Sequence, residues 1–269
     1  MLPFADVNYV EATWIMVVKS LVIFGVIFGI LPLLTVLERK LIGRFQHRYG
    51  PNRVGPFGIL QPLADVGKLI SKESFRPGNA VGTLFILGPL LPVISGVLAL
   101  AIIPWGDVQD GVGLYGIDVP IGILYFFAVG SIAFYGLVLG GWSSGSKYSF
   151  LGAMRSAAQL ISYEVSMGLA LLGVIMMSGS LSLVDAVHAQ GEMWFIVPQF
   201  VGFLIFMLAG FAETNRTPFD LPEADAELVQ GFMTEYGGMR FGSFLLVEYM
   251  EILVVSGIAA AMFLGGWMG

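Results

Sequence analysis

Long apolar stretches separated by short polar connections set the pattern of this chain. Six of them reach the roughly 17 to 25 mostly apolar residues that a membrane span requires. They lie near 15–37, 81–104, 119–141, 159–178, 194–212 and 244–266, each bounded by Gly, Pro, Trp or charged residues. Backbone polar groups at that depth must be satisfied internally, so each stretch predicts a helix. The first runs directly into LERK without a cleavage pattern and is read as a retained span.

The connection 38–80 carries a second pattern. After GRFQHRYGPNRVGPFG, a turn-rich segment with many cations, Ile59, Leu63, Val66 and Ile70 recur at helical spacing. Gln61, Asp65, Lys68 and Lys72 fall off that line. This predicts an amphipathic helix of about four turns lying in the interface plane. It fits either a membrane anchor or a lateral opening for a lipid-soluble substrate.

Composition agrees with the pattern. Of 269 residues, 57% are hydrophobic and 12% charged, and mean hydropathy is +0.84. The expected fold class is therefore an all-α polytopic membrane protein with about six transmembrane helices, organised as one membrane domain over 1–269. With 0 Cys, the chain holds no disulfide, thiolate-ligated iron–sulfur cluster or Cys-based zinc site, so electron chemistry must come from other chains.

Charge distribution gives an orientation. Of 13 Lys and Arg residues, all but Lys19 follow spans one, three and five, in the loops 38–80, 142–158 and 213–243. The positive-inside rule assigns those loops to the cytoplasm and the N-terminus to the periplasm. The loops after spans two and four carry Asp107, Asp110, Asp118, Asp185 and Glu192 and no Lys or Arg.

Candidate chemistry is concentrated in ETNRTPFDLPEADAELVQGFMTE, where six carboxylates occupy residues 213–235. A solvated loop is the usual fate of such a run. Here the acids are interleaved with Phe219, Leu221, Leu228 and Phe232, which a fully solvated loop would not need. Glu248 and Glu251, spaced i, i+3, share one helix face in the next span. Two like charges that close seldom both ionise in a low dielectric, so one is expected to be protonated or paired. Glu164, about a turn and a half into the fourth span, has Ser162, Tyr163 and Ser166 nearby. It is either an exchangeable proton carrier or a group that reaches the interface or bonds a neighbouring helix. Ionisable residues in spans point to an ion or proton route. A channel, a proton-coupled transporter and a redox-pump subunit all remain compatible with these features.

Three long motifs narrow that choice. LERKLIGRFQHRYGPNRVGPFGILQPLADVGKLISKE, GWSSGSKYSFLGAMRSAAQLISYEVSMGLALL and AETNRTPFDLPEADAELVQGFMTEYGGMRFGSFLLVEYMEI occur in that order. They resemble the H-subunit family of the proton-pumping NADH:quinone oxidoreductase, respiratory complex I. The resemblance runs from about Leu37 to Trp267. It implies a subunit that is not catalytic alone but belongs to an H+-translocating enzyme of the inner membrane. The implied partners are the iron–sulfur subunit bearing the terminal cluster, the hydrophilic quinone-site subunits, small membrane subunits and lipid, with no nucleic acid. Quinone would bind as substrate at the interface with those subunits, with no metal or flavin on this chain.

The resemblance assigns Glu38, Arg39, Arg216, Phe219 and Asp220 to a quinone tunnel. It assigns Glu164, Glu213, Asp220, Glu223, Glu227 and Glu248 to a proton path, and it places the amphipathic helix beside the tunnel entrance. Asp225 stands where the resemblance leads one to expect Glu. The family continues into two further spans, so a chain ending at Gly269 is expected to be a fragment or a short member. The competing readings are the membrane anchor of an energy-converting hydrogenase and a stand-alone transporter. The latter expects inverted repeats, and none is evident.

Overall fold

A computed structural model describes residues 13–109 and 112–268. Its helices are α1 (Thr13–Phe45), α2 (Gln61–Ser71), α3 (Gly82–Ala101), α4 (Gly122–Ser143), α5 (Lys147–Ser178), α6 (Leu183–His188), α7 (Phe200–Glu213), α8 (Asp225–Leu228) and α9 (Gly238–Phe263). Among the described residues the only strand pairing is a two-residue antiparallel ladder, Val108–Gln109 with Val112–Gly113. The protein is an all-α, multi-pass membrane protein. Among the described residues five helices, α1, α3, α4, α5 and α9, are long and apolar enough to cross a membrane.

Several helices extend beyond the apolar stretches. At about 1.5 Å per residue, the 32 residues of α5 span roughly 48 Å against a hydrocarbon core of about 30 Å. The residues from Lys147 onward, expected in a loop, are therefore helical, and Glu164 lies near mid-helix instead of a turn and a half from its start. The 33-residue α1 likewise carries the LERK charges on its last turns, not on a loop. Charge marks where a helix leaves lipid, and backbone hydrogen bonding continues past that point.

Two elements are shorter than expected. The amphipathic helix has 11 residues, about three turns, because Pro56–Gly58 forms a 3-10 turn and Ile59 precedes the α-helix. Its apolar positions Leu63, Val66 and Ile70 all point outward and are exposed. The apolar stretch at 194–212 yields a 14-residue α7, since Phe195–Gln199 form turns around Pro198, which has no amide proton to donate. Gln190 holds those turns. Its buried Nε2 donates to Ala186 O and Ala261 O, and its Oε1 accepts from the amides of Phe195 and Gly265.

The core is built by α3 along α4, α4 along α5, α5 along α7, and α9 against α3 and α7. Lipid supplies no hydrophobic driving force between helices, so close backbone approach matters more than side-chain bulk. At the crossing of α3 and α4, a Cβ on Gly88 would sit 2.7 Å from Gly140 Cα, and glycine at both positions permits the contact. Phe206, Met250, Met262 and Phe263 fill the centre with no measurable exposure. α1 stands at the edge, its apolar residues largely exposed.

Candidate functional site

The acidic segment folds back onto the bundle. Gly231 lies at φ 52°, where a Cβ would run into Pro222 O, and its own Cα lies 2.6 Å from the Cβ position of Gly152 on α5. That packing sets the segment against the helix instead of in solvent. Gln159 of α5 fastens the other end. Its Nε2 shares two protons among Ala212 O (2.8 Å), Phe219 O (2.8 Å) and Asn215 Oδ1 (3.3 Å). Phe219 in turn meets the ring of Tyr163 edge-on, with centroids 5.4 Å apart.

Arg216 then reaches across to α1 and α9. Its Nη1 donates to Glu38 Oε1 at 2.7 Å, and its Nη2 stands 3.6 Å from Glu248 Oε2. The guanidinium also lies over the ring of Tyr249, 4.9 Å from the centroid, and Tyr249 Oη donates to Glu38 Oε2 at 2.6 Å. Successive residues on a helix are turned by about 100°, so Arg39 faces elsewhere. It pairs with Asp65 of α2 at 2.6 Å in an exposed contact. Burial favours the protonated form of Asp65, but the hydrogen bonds from Arg39 and Gln61 outweigh it and hold the carboxyl below its ordinary value.

A line of carboxylates leads inward from Arg216. Glu223 meets Glu248, and burial together with the adjacent Glu248 charge pushes Glu223 up to about 8. Glu251, one turn further along α9, is within electrostatic reach of Glu248, Glu223 and Glu213. Glu213, at the end of α7, interacts with Glu164 on α5, and Ser131 Oγ lies 3.3 Å from Glu164 Oε1. A cavity of about 40 Å³ opens between α3, α4, α5, α7 and α9, lined by Glu213 and Glu251 with Ser95, Phe126 and Gly130. Glu213 Oε2 is sealed from solvent and has no hydrogen-bond partner.

The structure thus brings Glu38, Arg216, Glu248, Glu223, Glu213 and Glu164 into one sequence of neighbours, with Asp220 beside Glu223. It leaves Glu227 apart, on the surface in a 2.5 Å ion pair with Arg155. The side chain of Asp225 lies outside the described residues, as does Asp110. Sequence pattern does not single out Tyr249 or Gln159. Both are ordinary span residues by pattern, and only their partners, distant in sequence, reveal them. Glu251 is legible as the i+3 companion of Glu248, yet the resemblance gives it no place on the path. Among the described residues, no group of three or more His, Cys, Asp or Glu could hold a metal ion.

A second opening, of about 470 Å³, lies between α2 and the start of α9, lined by Lys68, Leu69, Lys72, Gln230, Tyr236, Gly237, Gly238 and Phe241. Its size falls in the usual range of small-molecule pockets.

A family model described as NADH dehydrogenase matches residues 18–269. The H 2 subunit of the NADH-quinone oxidoreductase of Geobacter sulfurreducens is 51% identical over 255 residues, covering 93% of this chain and 78% of its own length. This chain belongs to the H-subunit family of NADH-quinone oxidoreductase. Another member, the H subunit from Thermomicrobium roseum, is 47% identical over 91% of this chain and 76% of its own length. The H 2 subunit of Syntrophobacter fumaroxidans is 47% identical over 97% of this chain and 80% of its own length. The likeness to these NADH-quinone oxidoreductase subunits extends over nearly the whole chain, and the residues matched by the family model include every segment that builds the carboxylate line.

Proposed function

We propose that this chain forms part of the quinone-binding tunnel of a proton-translocating NADH:quinone oxidoreductase and couples quinone reduction to proton movement along its carboxylates. The observation that carries this reading is the continuity from Glu38 and Arg216, through Glu248 and Glu223, to Glu251, Glu213 and Glu164. An interior carboxylate is costly in an apolar bundle, and a purely structural role does not account for so many in sequence. The relatives' names favour quinone as the acceptor over a hydrogenase anchor.

Quinone enters past α2, whose exposed apolar face suits a lipid-soluble molecule, through the groove bordered by Leu69 and Phe241. Glu38, Arg39, Arg216, Phe219 and Asp220 line or gate its route. Two-electron reduction of the quinone consumes two protons, and the developing charge alters the field at nearby carboxylates. At an effective dielectric near 20, a unit charge about 4 Å away is worth about 4 kcal/mol, or roughly three pKa units. Arg216 holds Glu38 and Glu248 together, so a change at the quinone end reaches Glu248 and Glu223 first. Protons then redistribute toward Glu213 and Glu164 and on to the antiporter-like membrane subunits.

In this reading the basic loops face the cytoplasm and the chain sits in the inner membrane. The hydrophilic iron–sulfur and quinone-site subunits cover the end that carries the basic loops. The test is Glu213→Gln and Glu164→Gln in the intact complex, with quinone reduction and proton pumping measured separately. Loss of pumping in either variant is expected; normal coupled activity in both overturns the proposal.

A further inference from the structure

We infer that Glu251 is a further proton-carrying site of this chain, transferring protons between the Glu223–Glu248 pair and Glu213 through water held in the cavity beneath them. The inference rests on the proton-path reading above and adds a member to it. Glu248 is engaged by Arg216 on one side and by Glu223 on the other. Glu213 lines the cavity, and its Oε2 is buried without a hydrogen-bond partner. Glu251 is the group within electrostatic reach of both. One helical turn separates it from Glu248, and it lines the same cavity as Glu213.

The cavity suits water. About 40 Å³ holds roughly two or three molecules. The polar groups that such water needs are the Glu213 and Glu251 carboxyls and Ser95, whose hydroxyl proton is already given to Val129 O at 2.6 Å, leaving its oxygen free to accept. The remaining wall, including Phe126 and Leu160, is apolar. The charged groups acting on Glu251 are Glu213 of α7, Glu248 of α9 and Glu223 of the acidic segment. All three are carboxylates, so a structural ion pair is not the reason for its presence. Each transfer conserves the proton: one carboxylic acid loses it to water, the water passes one on, and the receiving carboxylate becomes the acid.

The test uses the whole complex reconstituted in liposomes, with Glu251→Gln, Glu251→Asp, Glu213→Gln and Glu248→Gln compared. Glu251→Gln is expected to assemble normally and to reduce proton pumping on the order of a hundredfold, the lower end for loss of a proton-transfer group. It is also expected to remove a protonated-carboxyl band from the infrared difference spectrum recorded on quinone reduction. Glu251→Asp retains that band at a shifted position and recovers part of the pumping. Normal pumping and an unchanged spectrum in Glu251→Gln, with Glu213→Gln and Glu248→Gln uncoupled, overturn the role of Glu251 and leave the wider path intact. Normal pumping in all the Gln variants overturns both. Failure of both Gln and Asp variants to assemble makes Glu251 structural and also overturns the inference.

Discussion

Arg216 gives the sharpest quantitative test of the junction between α1, the acidic segment and α9. Its guanidinium lies 2.7 Å from Glu38 Oε1 and 3.6 Å from Glu248 Oε2. With an effective dielectric of about 20, those separations correspond to attractions of roughly 6 and 5 kcal/mol before desolvation is charged against them. The Arg216–Glu38 pair is partly exposed, so removing one partner costs less than the roughly 3–5 kcal/mol of a fully buried pair, and removing both is milder still. Arg216→Gln should therefore destabilise the assembled complex by about 1–3 kcal/mol and depress quinone reductase activity. Adding Glu38→Gln should restore part of the loss, with an interaction energy of about 2 kcal/mol, inside the usual range for direct contacts. Arg216→Lys keeps the charge but loses the fork that spans two carboxylates and the flat face over Tyr249, so it should fall between. The assay is a double-mutant cycle on thermal unfolding of the intact complex, with quinone reduction measured alongside. Additivity of the two Gln substitutions within about 0.5 kcal/mol would refute the coupling.

Arg39 makes the contrasting case: its pair with Asp65 is exposed, so Arg39→Gln should cost no more than about 1 kcal/mol and lose even that in high salt, as read by thermal unfolding at two ionic strengths. Glu223 has a folded value of about 8 against an ordinary 4.5, so the folded state binds the extra proton. Stability should fall as pH rises from about 4.5 to about 8, and Glu223→Gln should flatten that slope in a pH series of unfolding midpoints. Gln159→Leu removes the donor that three acceptors share and should cost about 1–3 kcal/mol; faster hydrogen exchange over 214–219 is the readout, and unchanged exchange would exclude the anchoring role. Gly231→Ala would drive a Cβ into Pro222 O at a left-handed backbone position, so loss of assembled complex on native gels is expected, where a freely solvated segment would tolerate the change.

The membrane class and the helical content were legible from hydropathy alone, because a bilayer leaves the backbone few alternatives. Helix ends were less legible. Charges mark the lipid boundary, yet α1 and α5 continue beyond it, since a helix ends where its hydrogen bonding is interrupted and not where lipid stops. At α7 the reverse holds: Pro198 and the Gln190 contacts replace the first residues of an apolar stretch by turns. The i, i+3 spacing of Glu248 and Glu251 was readable because both lie on one helix.

By itself, then, the sequence determined a polytopic helical membrane protein, the family through its three ordered motifs, and the identity of most acidic residues worth testing. Only the tertiary structure decided which of them are neighbours. Glu38 and Arg216 are 178 positions apart, and Glu38 and Tyr249 are 211 apart, so no local period can join them. The same packing left Glu227 on the surface with Arg155 and turned Glu251 toward Glu213. Hydropathy is a property of each residue and its near neighbours along the chain. A shared cavity is a property of several helices packed together, and it exists only once their small residues have let the backbones close.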